Sequence, residues 1–204
     1  MSTRYGDHGL PGAADAAPDT VTAADLRAWI GRAERAILRH RAHLDRLDAS
    51  LGDGDHGENM SVGFGDAVRA TGPDVESRDV GEVLRNLGQL LVASVGGAGG
   101  SLYGTAFMEA GIAVAGRTAL DAAGIAEAFD AAAEGLARRG RCRMGDKTIY
   151  DALRPAADAV GEASRRGEDI ATALGRGAAA ANVGVRMTRP LIARRGLAMR
   201  LGER

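Results

Sequence analysis

Apolar residues recur at three- and four-residue steps along most of the chain, and this spacing limits the fold more than any other feature. The first such stretch contains Leu26, Trp29, Ile30, Ala33, Ile37, Leu44 and Leu47. The spacing places apolar side chains on one face of an α-helix. Thr22, followed by Asp25, predicts a capping box at the start of that helix. No stretch shows the alternation that indicates a half-buried strand, so the sequence predicts an all-α protein.

Six similar stretches follow, and each begins or ends near Gly, Asp, Ser or Thr. They are predicted at about 58–71, 79–95, 102–116, 121–139, 148–166 and 168–193. Alanine-rich helices with only 3% aromatic residues are expected to pack closely as a bundle or barrel of antiparallel amphipathic helices. Residues 21–204 are predicted to form this one domain. Residues 1–20 are rich in Gly, Pro, Ala and Asp without periodicity, and are predicted to be a flexible leader.

Charge and composition exclude several classes of protein. The net charge of −1 over 204 residues does not indicate a nucleic-acid or anionic-membrane partner. No apolar run approaches the roughly 18 residues that span a bilayer, and the N-terminus lacks the pattern of a secretory signal. The single cysteine, Cys142, excludes an internal disulfide and fits a reducing compartment. We therefore expect a cytoplasmic protein with neither nucleic acid nor membrane as a partner.

Three glycine-rich segments each connect two predicted helices, and the three are alternate connections along the chain. The first is GDGDHG (52–57), the second GGAGGSLYG (96–104) and the third GRCRMGDKT (140–148). Alternate connections of an antiparallel bundle lie at the same end. The three segments are therefore expected to form one rim.

The first segment carries a concentration of negative charge. Asp48, Asp53 and Asp55 have no Lys or Arg among them. The C-terminal end of a helix is negative, so carboxylates there repel each other and the helix unless a cation is bound. Oxygen ligands without His or Cys suit Mg²⁺ or Ca²⁺, and Phe64 stands where an EF-hand requires Glu. Alternatively the segment is only a turn, because Asp and Gly are common turn residues.

The second and third segments are less specific. The second can bring backbone N–H groups close to an anion, with a helix N-terminus behind it. The second segment is not a Rossmann fingerprint, because it lacks the G-x-G-x-x-G spacing. The third segment is not a P-loop, because Asp146 stands where a P-loop requires Lys. The simpler interpretation of GDKT in the third segment is that Asp146 or Thr148 caps a helix. Together the segments indicate a metal site and a phosphate-binding segment at one end of a helical bundle.

Four stretches carry a resemblance to a known family: LDASLGDGDHGENM, SVGGAGGSLYGTAFMEAG, GDKTIYDAL and ARRGLAMRLGER. In this order they resemble the ADP-binding L subunit of bacterial dihydroxyacetone kinase, a domain that also forms the C-terminal half of single-chain ATP-dependent dihydroxyacetone kinases. The resemblance spans about residues 22–204. Fatty-acid kinases have a related domain that reads D-G-D-T-G at the first stretch, so His56 favours the dihydroxyacetone branch.

The resemblance implies a barrel of antiparallel helices with a nucleotide at one end. Asp48, Asp53 and Asp55 match carboxylates that hold two Mg²⁺ ions against the nucleotide phosphates. The positions that match nucleotide-binding residues are His56, Gly57, Glu58 and Asn59 in the first turn, Gly97, Ala98 and Gly99 in the phosphate-binding segment, and Gly140 and Ile149 at the base pocket. No catalytic base is implied on this chain.

The implied function is that of a nucleotide-binding kinase subunit, active only with partner subunits. Its ADP receives a phosphoryl group from phosphoenolpyruvate through a phosphotransferase M subunit, and the resulting ATP phosphorylates dihydroxyacetone held on a K subunit. This type is favoured over the ATP-dependent type. Two alternatives stay open, a Mg²⁺–nucleotide regulatory module without turnover and a nucleotide domain of the fatty-acid-kinase type. A homodimer is also left open.

The chain departs from the family pattern at three places. The family segment reads G-G-A-S-G-P. In this chain Gly99 replaces its Ser, and Ser101 replaces its Pro. Leu197 stands where the family has a nucleotide-contacting Arg, whose loss removes a charge-assisted contact. The sequence stops at LGER, where the family continues into a D-P-G loop and a further helix. The last helix of the barrel is therefore expected to be missing, and ADP binding to be weaker.

Overall fold

The fold is built almost wholly from α-helices, as the periodicity predicts. The computed structural model describes residues 20–72 and 79–202. Its elements are α1 (Ala23–Asp48), α2 (His56–Ala70), α3 (Val80–Ser94), α4 (Gly97–Ala113), α5 (Ala122–Gly140), α6 (Tyr150–Arg165), α7 (Ile170–Met187) and a short 3-10 helix (Leu197–Leu201). The all-α class is confirmed. Of the predicted leader, residues 1–19 lie outside the described residues.

Each helix packs mainly against its neighbours in the chain, the helix before it and the helix after it. Short connections between successive helices make antiparallel neighbours, so the chain winds into a bundle. The predicted capping box at the start of α1 is present: Asp25 N–H donates to Thr22 Oγ1 (3.3 Å), and Thr22 N–H donates to Asp25 Oδ2 (2.9 Å).

Two short strands were not predicted. β1 (Val21–Thr22) pairs antiparallel with β2 (Ala119–Leu120) and ties the start of α1 to the start of α5. The prediction that the chain has no strand is wrong on this point, because two residues are too few to show alternation.

The core lies on the inner faces of the helices. Ile30, Leu87 and Leu91 are among its fully buried side chains. A pocket of about 600 Å³ that is open to solvent lies between the helices, lined mostly by apolar residues of α1 and α3 to α7 that include Leu26 and Phe107. Within the described parts of the chain, no helix is long and apolar enough to cross a membrane.

Two helix boundaries differ from the predicted ones by more than three residues. α4 begins at Gly97, inside the glycine-rich run that was predicted to precede it. Glycine is needed there for close packing, because a Cβ on Gly100 would lie 2.1 Å from the Val95 carbonyl oxygen. α7 ends at Met187, earlier than the predicted 193. Pro190 follows, and a proline disfavours helical backbone at the residue before it.

Pro155 lies inside α6, beyond its first turn. It has no N–H to donate to the Asp151 carbonyl one turn earlier. α7 approaches this carbonyl closely, because a Cβ on Gly184 would lie 2.1 Å from the Asp151 oxygen. Glycine at position 184 therefore allows α6 and α7 to pack together.

α7 packs chiefly against α6 and leaves much of its apolar surface exposed. The exposed apolar side chains of this helix are Leu174, Val183, Val185 and Met187. Exposed apolar patches promote association between proteins. A homodimer, and a further helix covering this face in related proteins, stay predictions.

Candidate functional site

The first and second glycine-rich segments meet at one end of the bundle. A Cβ on Gly99 would lie 3.2 Å from Cε1 of the His56 ring, and one on Gly96 would lie 3.3 Å from Nδ2 of Asn59. The start of α2 therefore packs directly against the start of α4. This is the juxtaposition expected of alternate connections in an antiparallel bundle.

The third segment adjoins the same end. Arg139, in the last turn of α5, donates from Nε to Oγ of Ser101 in α4 (2.8 Å). A Cβ on Gly140 would lie 3.2 Å from Cδ2 of Leu102. Ile149 packs in the same apolar cluster as Leu102 and Cys142. Of the two residues predicted to line a base pocket, Gly140 thus lies against Leu102 near the start of α4, and Ile149 packs on the same apolar cluster.

The three aspartates of the first segment form a cluster. Asp48 ends α1, Asp53 lies in the turn, and Asp55 is the N-cap of α2. One carboxylate oxygen from each lies within 4.8 Å of the others. Oδ2 of Asp48 accepts from the N–H groups of Gly54 (3.0 Å) and Asp55 (3.2 Å). The turn is therefore folded around the Asp48 carboxylate.

The start of α2 is capped from α1 and not by its own N-cap residue. Oδ1 of Asp45 accepts from the N–H groups of Gly57 (2.7 Å) and Glu58 (3.1 Å). The Asp55 side chain makes no capping hydrogen bond, so its carboxylate is available for a ligand. The role of Asp45 was not predictable from the sequence, because this cap comes from the preceding helix and leaves no local motif.

The four predicted nucleotide contacts at the start of α2 face in two directions. His56 and Asn59 lie against the start of α4. Gly57 is buried, and a Cβ there would lie 2.3 Å from the Arg41 carbonyl oxygen of α1. Glu58 forms an ion pair with Arg41. His56 and Asn59 are thus better placed than Gly57 and Glu58 to meet a ligand bound at α4, and all four nucleotide contacts stay predictions.

The charges of the cluster are not balanced by protein groups. Within residues 20–72 and 79–202, no Lys, Arg or His forms an ion pair with Asp48, Asp53 or Asp55. Two unit charges about 4 Å apart repel by about 1 kcal/mol even in bulk water. Three hard oxygen donors without nitrogen or sulfur companions fit Mg²⁺ or Ca²⁺ and do not fit Zn²⁺. The cluster therefore has the donors and the excess charge of a divalent-cation site.

The start of α4 favours negative charge, whereas the acidic cluster favours positive charge. The first N–H groups of any α-helix lack intrahelical partners, and Gly96, the N-cap of α4, has no side chain to accept from them. Gly97 has a φ of 64°, a left-handed conformation that favours glycine. Such N–H groups, together with the positive end of the helix dipole, fit an anion. The acidic cluster and the start of α4 are adjacent, since Asp55 directly precedes His56 and the His56 ring lies against Gly99.

The GDKT part of the third segment has a role that the sequence did not reveal. Asp146 is 1% exposed, and its Oδ2 accepts from the backbone N–H of Arg143 (3.1 Å) and from Nε of Arg195 (3.2 Å). Its backbone carbonyl accepts from the N–H of Arg194 (3.0 Å). Lys147 donates from Nζ to the Leu191 carbonyl (2.9 Å). These bonds hold residues 191–195 against the third segment.

The N-cap of α6 is Ile149, so neither Asp146 nor Thr148, the two predicted caps, occupies the N-cap position. Oγ1 of Thr148 accepts from the N–H of Tyr150, the first residue of α6 (3.2 Å). Asp146 does not cap the helix, because its carboxylate is buried against Arg143 and Arg195. The side chain of Asp151 in α6 accepts from the N–H of Thr148 (2.8 Å) and so fixes the end of the segment to the helix.

The buried Asp146 carboxylate predicts a pH-dependent stability. Burial raises the pKa of this group. The Arg143 N–H and the Arg195 guanidinium lower it by more than burial raises it, so the folded pKa lies below the usual 3.8. A lowered folded pKa gives stability that is present above the usual value and lost as pH falls through the folded value. We expect Asp146→Asn to be less stable than the unmodified chain at pH 7, with the difference shrinking below about pH 3.8.

Urea unfolding between pH 7 and pH 3 measures this difference. Glu162→Gln is the matched control, because Glu162 forms an exposed pair with Arg166 on α6, and such pairs contribute little. A deficit in Asp146→Asn that is the same at pH 3 and pH 7 would contradict the assignment.

Comparison with known proteins places the chain in a family. The model of the DAK2 domain matches residues 50–204. The ADP-binding subunit DhaL of the PEP-dependent dihydroxyacetone kinase of Escherichia coli (strain K12) is 34% identical over 86% of this chain and 83% of its own length. The DhaL subunit of PEP-dependent dihydroxyacetone kinase 2 of Listeria innocua is 36% identical over 82% of this chain and 78% of its own length.

The crystal structure of the dihydroxyacetone kinase of C. freundii in its native form has the same fold over 90% of this chain, with a TM-score of 0.57 and 18% identity. This chain spans 37% of that longer one. The match to the DAK2 model over most of the chain, together with relatives at 34% and 36% identity over more than three quarters of their length, shows that the chain belongs to the DAK2 domain family, alongside the DhaL subunits.

Proposed function

We propose that this chain is the nucleotide-binding subunit of a dihydroxyacetone kinase and binds Mg²⁺–ADP or Mg²⁺–ATP at the end of the bundle described above. The observation that carries the proposal is the cluster of Asp48, Asp53 and Asp55, with ligand oxygens within 4.8 Å, next to the uncapped start of α4. The E. coli relative is named as an ADP-binding subunit of a PEP-dependent dihydroxyacetone kinase, which supports the choice of ligand and reaction.

In this proposal, different residues bind the metal, the phosphates and the base of the Mg²⁺–nucleotide. Asp48, Asp53 and Asp55 hold Mg²⁺, and the resemblance implies two ions. Bound there, Mg²⁺ neutralises phosphate charge and stabilises the charge that develops during phosphoryl transfer. The N–H groups of Gly97, Ala98 and Gly99 bind phosphate oxygens. His56 and Asn59 lie beside them, and the apolar surface around Gly140, Leu102 and Ile149 accepts the base.

Phosphoryl transfer by such a site depends on position and electrostatics. No catalytic base is assigned to this chain, and the ketone is bound by a partner K subunit. The phosphoryl group comes from phosphoenolpyruvate, on which the kinases of the two relatives depend by name, and reaches this chain through an M subunit. The cytoplasm is the proposed location.

One observation favours a second candidate, a Mg²⁺–nucleotide regulatory module without turnover. Leu197 lies half-exposed in the 3-10 helix and cannot supply the guanidinium that the resemblance implies at this position. The two candidates share the nucleotide site and differ in whether phosphoryl groups are transferred.

A reconstituted assay separates the candidates. We expect no dihydroxyacetone phosphate from this chain with Mg²⁺–ATP alone, and turnover once the K subunit of the same organism is added with ATP or with the M subunit and phosphoenolpyruvate. Turnover by this chain alone would refute the subunit assignment. Binding of Mg²⁺–ADP without turnover in any combination would favour the regulatory module.

A further inference from the structure

We infer that Arg139, held in place by Ser101, is a further residue that binds a phosphate of the nucleotide at the start of α4. The inference rests on the proposed function. It adds a cationic side chain to a site otherwise described by carboxylates and backbone N–H groups.

The position of Arg139 follows from the geometry of α4. Successive helical positions are about 100° apart, so Gly99 and Ser101 face directions about 200° apart around the helix axis. Gly99 faces the His56 ring, and Ser101 Oγ accepts from Nε of Arg139 at 2.8 Å. His56 and Arg139 therefore flank the start of α4 from opposite sides.

The serine places the guanidinium at the level of the free N–H groups. Side chains of a helix tilt towards its N-terminus, so the Ser101 hydroxyl lies over the first turn of α4. The bond to Ser101 uses Nε of Arg139 and leaves the terminal NH₂ groups available. A guanidinium matches phosphate oxygens with paired, charge-assisted hydrogen bonds, which a single ammonium does not.

The charge of Arg139 is not neutralised by the protein. The neighbouring Arg138 pairs with Glu109 at 3.0 Å. Arg139 is exposed, and no carboxylate of residues 20–72 or 79–202 forms an ion pair with it. Both arginines lie in the last turn of α5, where cations also stabilise the helix dipole. That dipole effect applies to both residues equally, so Arg138 is the matched control.

Calorimetric titration with two ligands tests the inference. We expect Arg139→Gln to weaken Mg²⁺–ADP binding by about ten- to a hundredfold and to leave adenosine binding unchanged, because a charge-assisted contact to phosphate is lost. Arg138→Gln should bind both ligands like the unmodified chain. Arg139→Lys should recover part of the loss, since it retains the charge.

The role of Ser101 is tested by a double-mutant cycle. Ser101→Ala should weaken Mg²⁺–ADP binding by about threefold in the unmodified chain and have no effect in the Arg139→Gln background, because the two side chains act as one unit. Melting temperatures of all variants show whether each is folded.

Several results would overturn the inference. These are normal Mg²⁺–ADP binding by Arg139→Gln, an equal loss in Arg138→Gln, or an equal loss for adenosine, which would show a general structural effect. Failure of the unmodified chain to bind Mg²⁺–ADP would contradict the proposed function and the inference together. Normal binding by Arg139→Gln contradicts the inference alone.

Discussion

Replacing Asp53 with asparagine is expected to weaken Mg²⁺–ADP binding by about tenfold or more and to leave the fold intact. Asp53 is exposed, and in the part of the chain that the structure describes no hydrogen bond to its carboxylate stabilises the turn. Its loss therefore removes a ligand and a charge without removing a structural contact. Changes in residues that only support metal ligands already reduce metal affinity by about 10–100-fold, so loss of a ligand should be at least as severe.

The same variant is expected to behave in the opposite way when no metal is present. In EDTA the unmodified chain keeps three mutually repelling carboxylates, and Asp53→Asn relieves part of that repulsion. Its melting temperature in EDTA should equal or exceed that of the unmodified chain, whereas Mg²⁺ and ADP together should stabilise it less. Glu82→Gln is the matched control, because Glu82 is exposed on α3 and forms no ion pair with any residue that the structure describes. Unchanged Mg²⁺–ADP affinity in Asp53→Asn would show that Asp53 is only a turn residue.

Gly57→Ala is expected to cause the largest loss of stability, about 3 kcal/mol, because it combines overpacking with the loss of a helix cap. The new Cβ would lie 2.3 Å from the Arg41 carbonyl oxygen and 2.8 Å from Oδ1 of Asp45. Both are groups of α1, and the first belongs to the backbone, so α2 has to move. That movement breaks the bonds from Asp45 to the start of α2 and displaces Asp55 from the cluster.

Urea unfolding and Mg²⁺–ADP titration of Gly57→Ala measure both consequences. Gly175→Ala is the control, because it makes the same change in a helix where nothing lies within 4 Å of the new Cβ. That control should be stabilised by about 0.5–1 kcal/mol, as expected for alanine in place of glycine inside a helix. If Gly57→Ala unfolds at the same urea concentration as the unmodified chain, the close contact between α1 and α2 is not as described.

Local patterns in the sequence were sufficient for much of this structure. The all-α class follows from the three- and four-residue spacing, and the capping box of α1 follows from Thr22 and Asp25. The acidic cluster was also predictable, because Asp48, Asp53 and Asp55 lie within one helix end and the turn after it. In each case the residues that interact are close together in the chain.

Contacts between distant residues were not predictable from the sequence. Ser101 and Arg139 are 38 positions apart, and Asp146 and Arg195 are 49 apart, so no local motif indicates either pair. The start of α4 was placed too late because glycine has a low helix propensity. Packing of α4 against α3, visible in the close approach of Gly100 to Val95, overrides that propensity.

The most direct measurement is a calorimetric titration of the unmodified chain with ADP, performed once with Mg²⁺ and once with EDTA. The cluster of Asp48, Asp53 and Asp55 repels the nucleotide phosphates unless a cation lies between them. We therefore expect ADP to bind at least about tenfold more tightly with Mg²⁺ than with EDTA, and Mg²⁺ to bind more tightly with ADP, since the coupling is reciprocal. Equally tight ADP binding in EDTA would contradict the assignment of this end of the bundle as a Mg²⁺–nucleotide site.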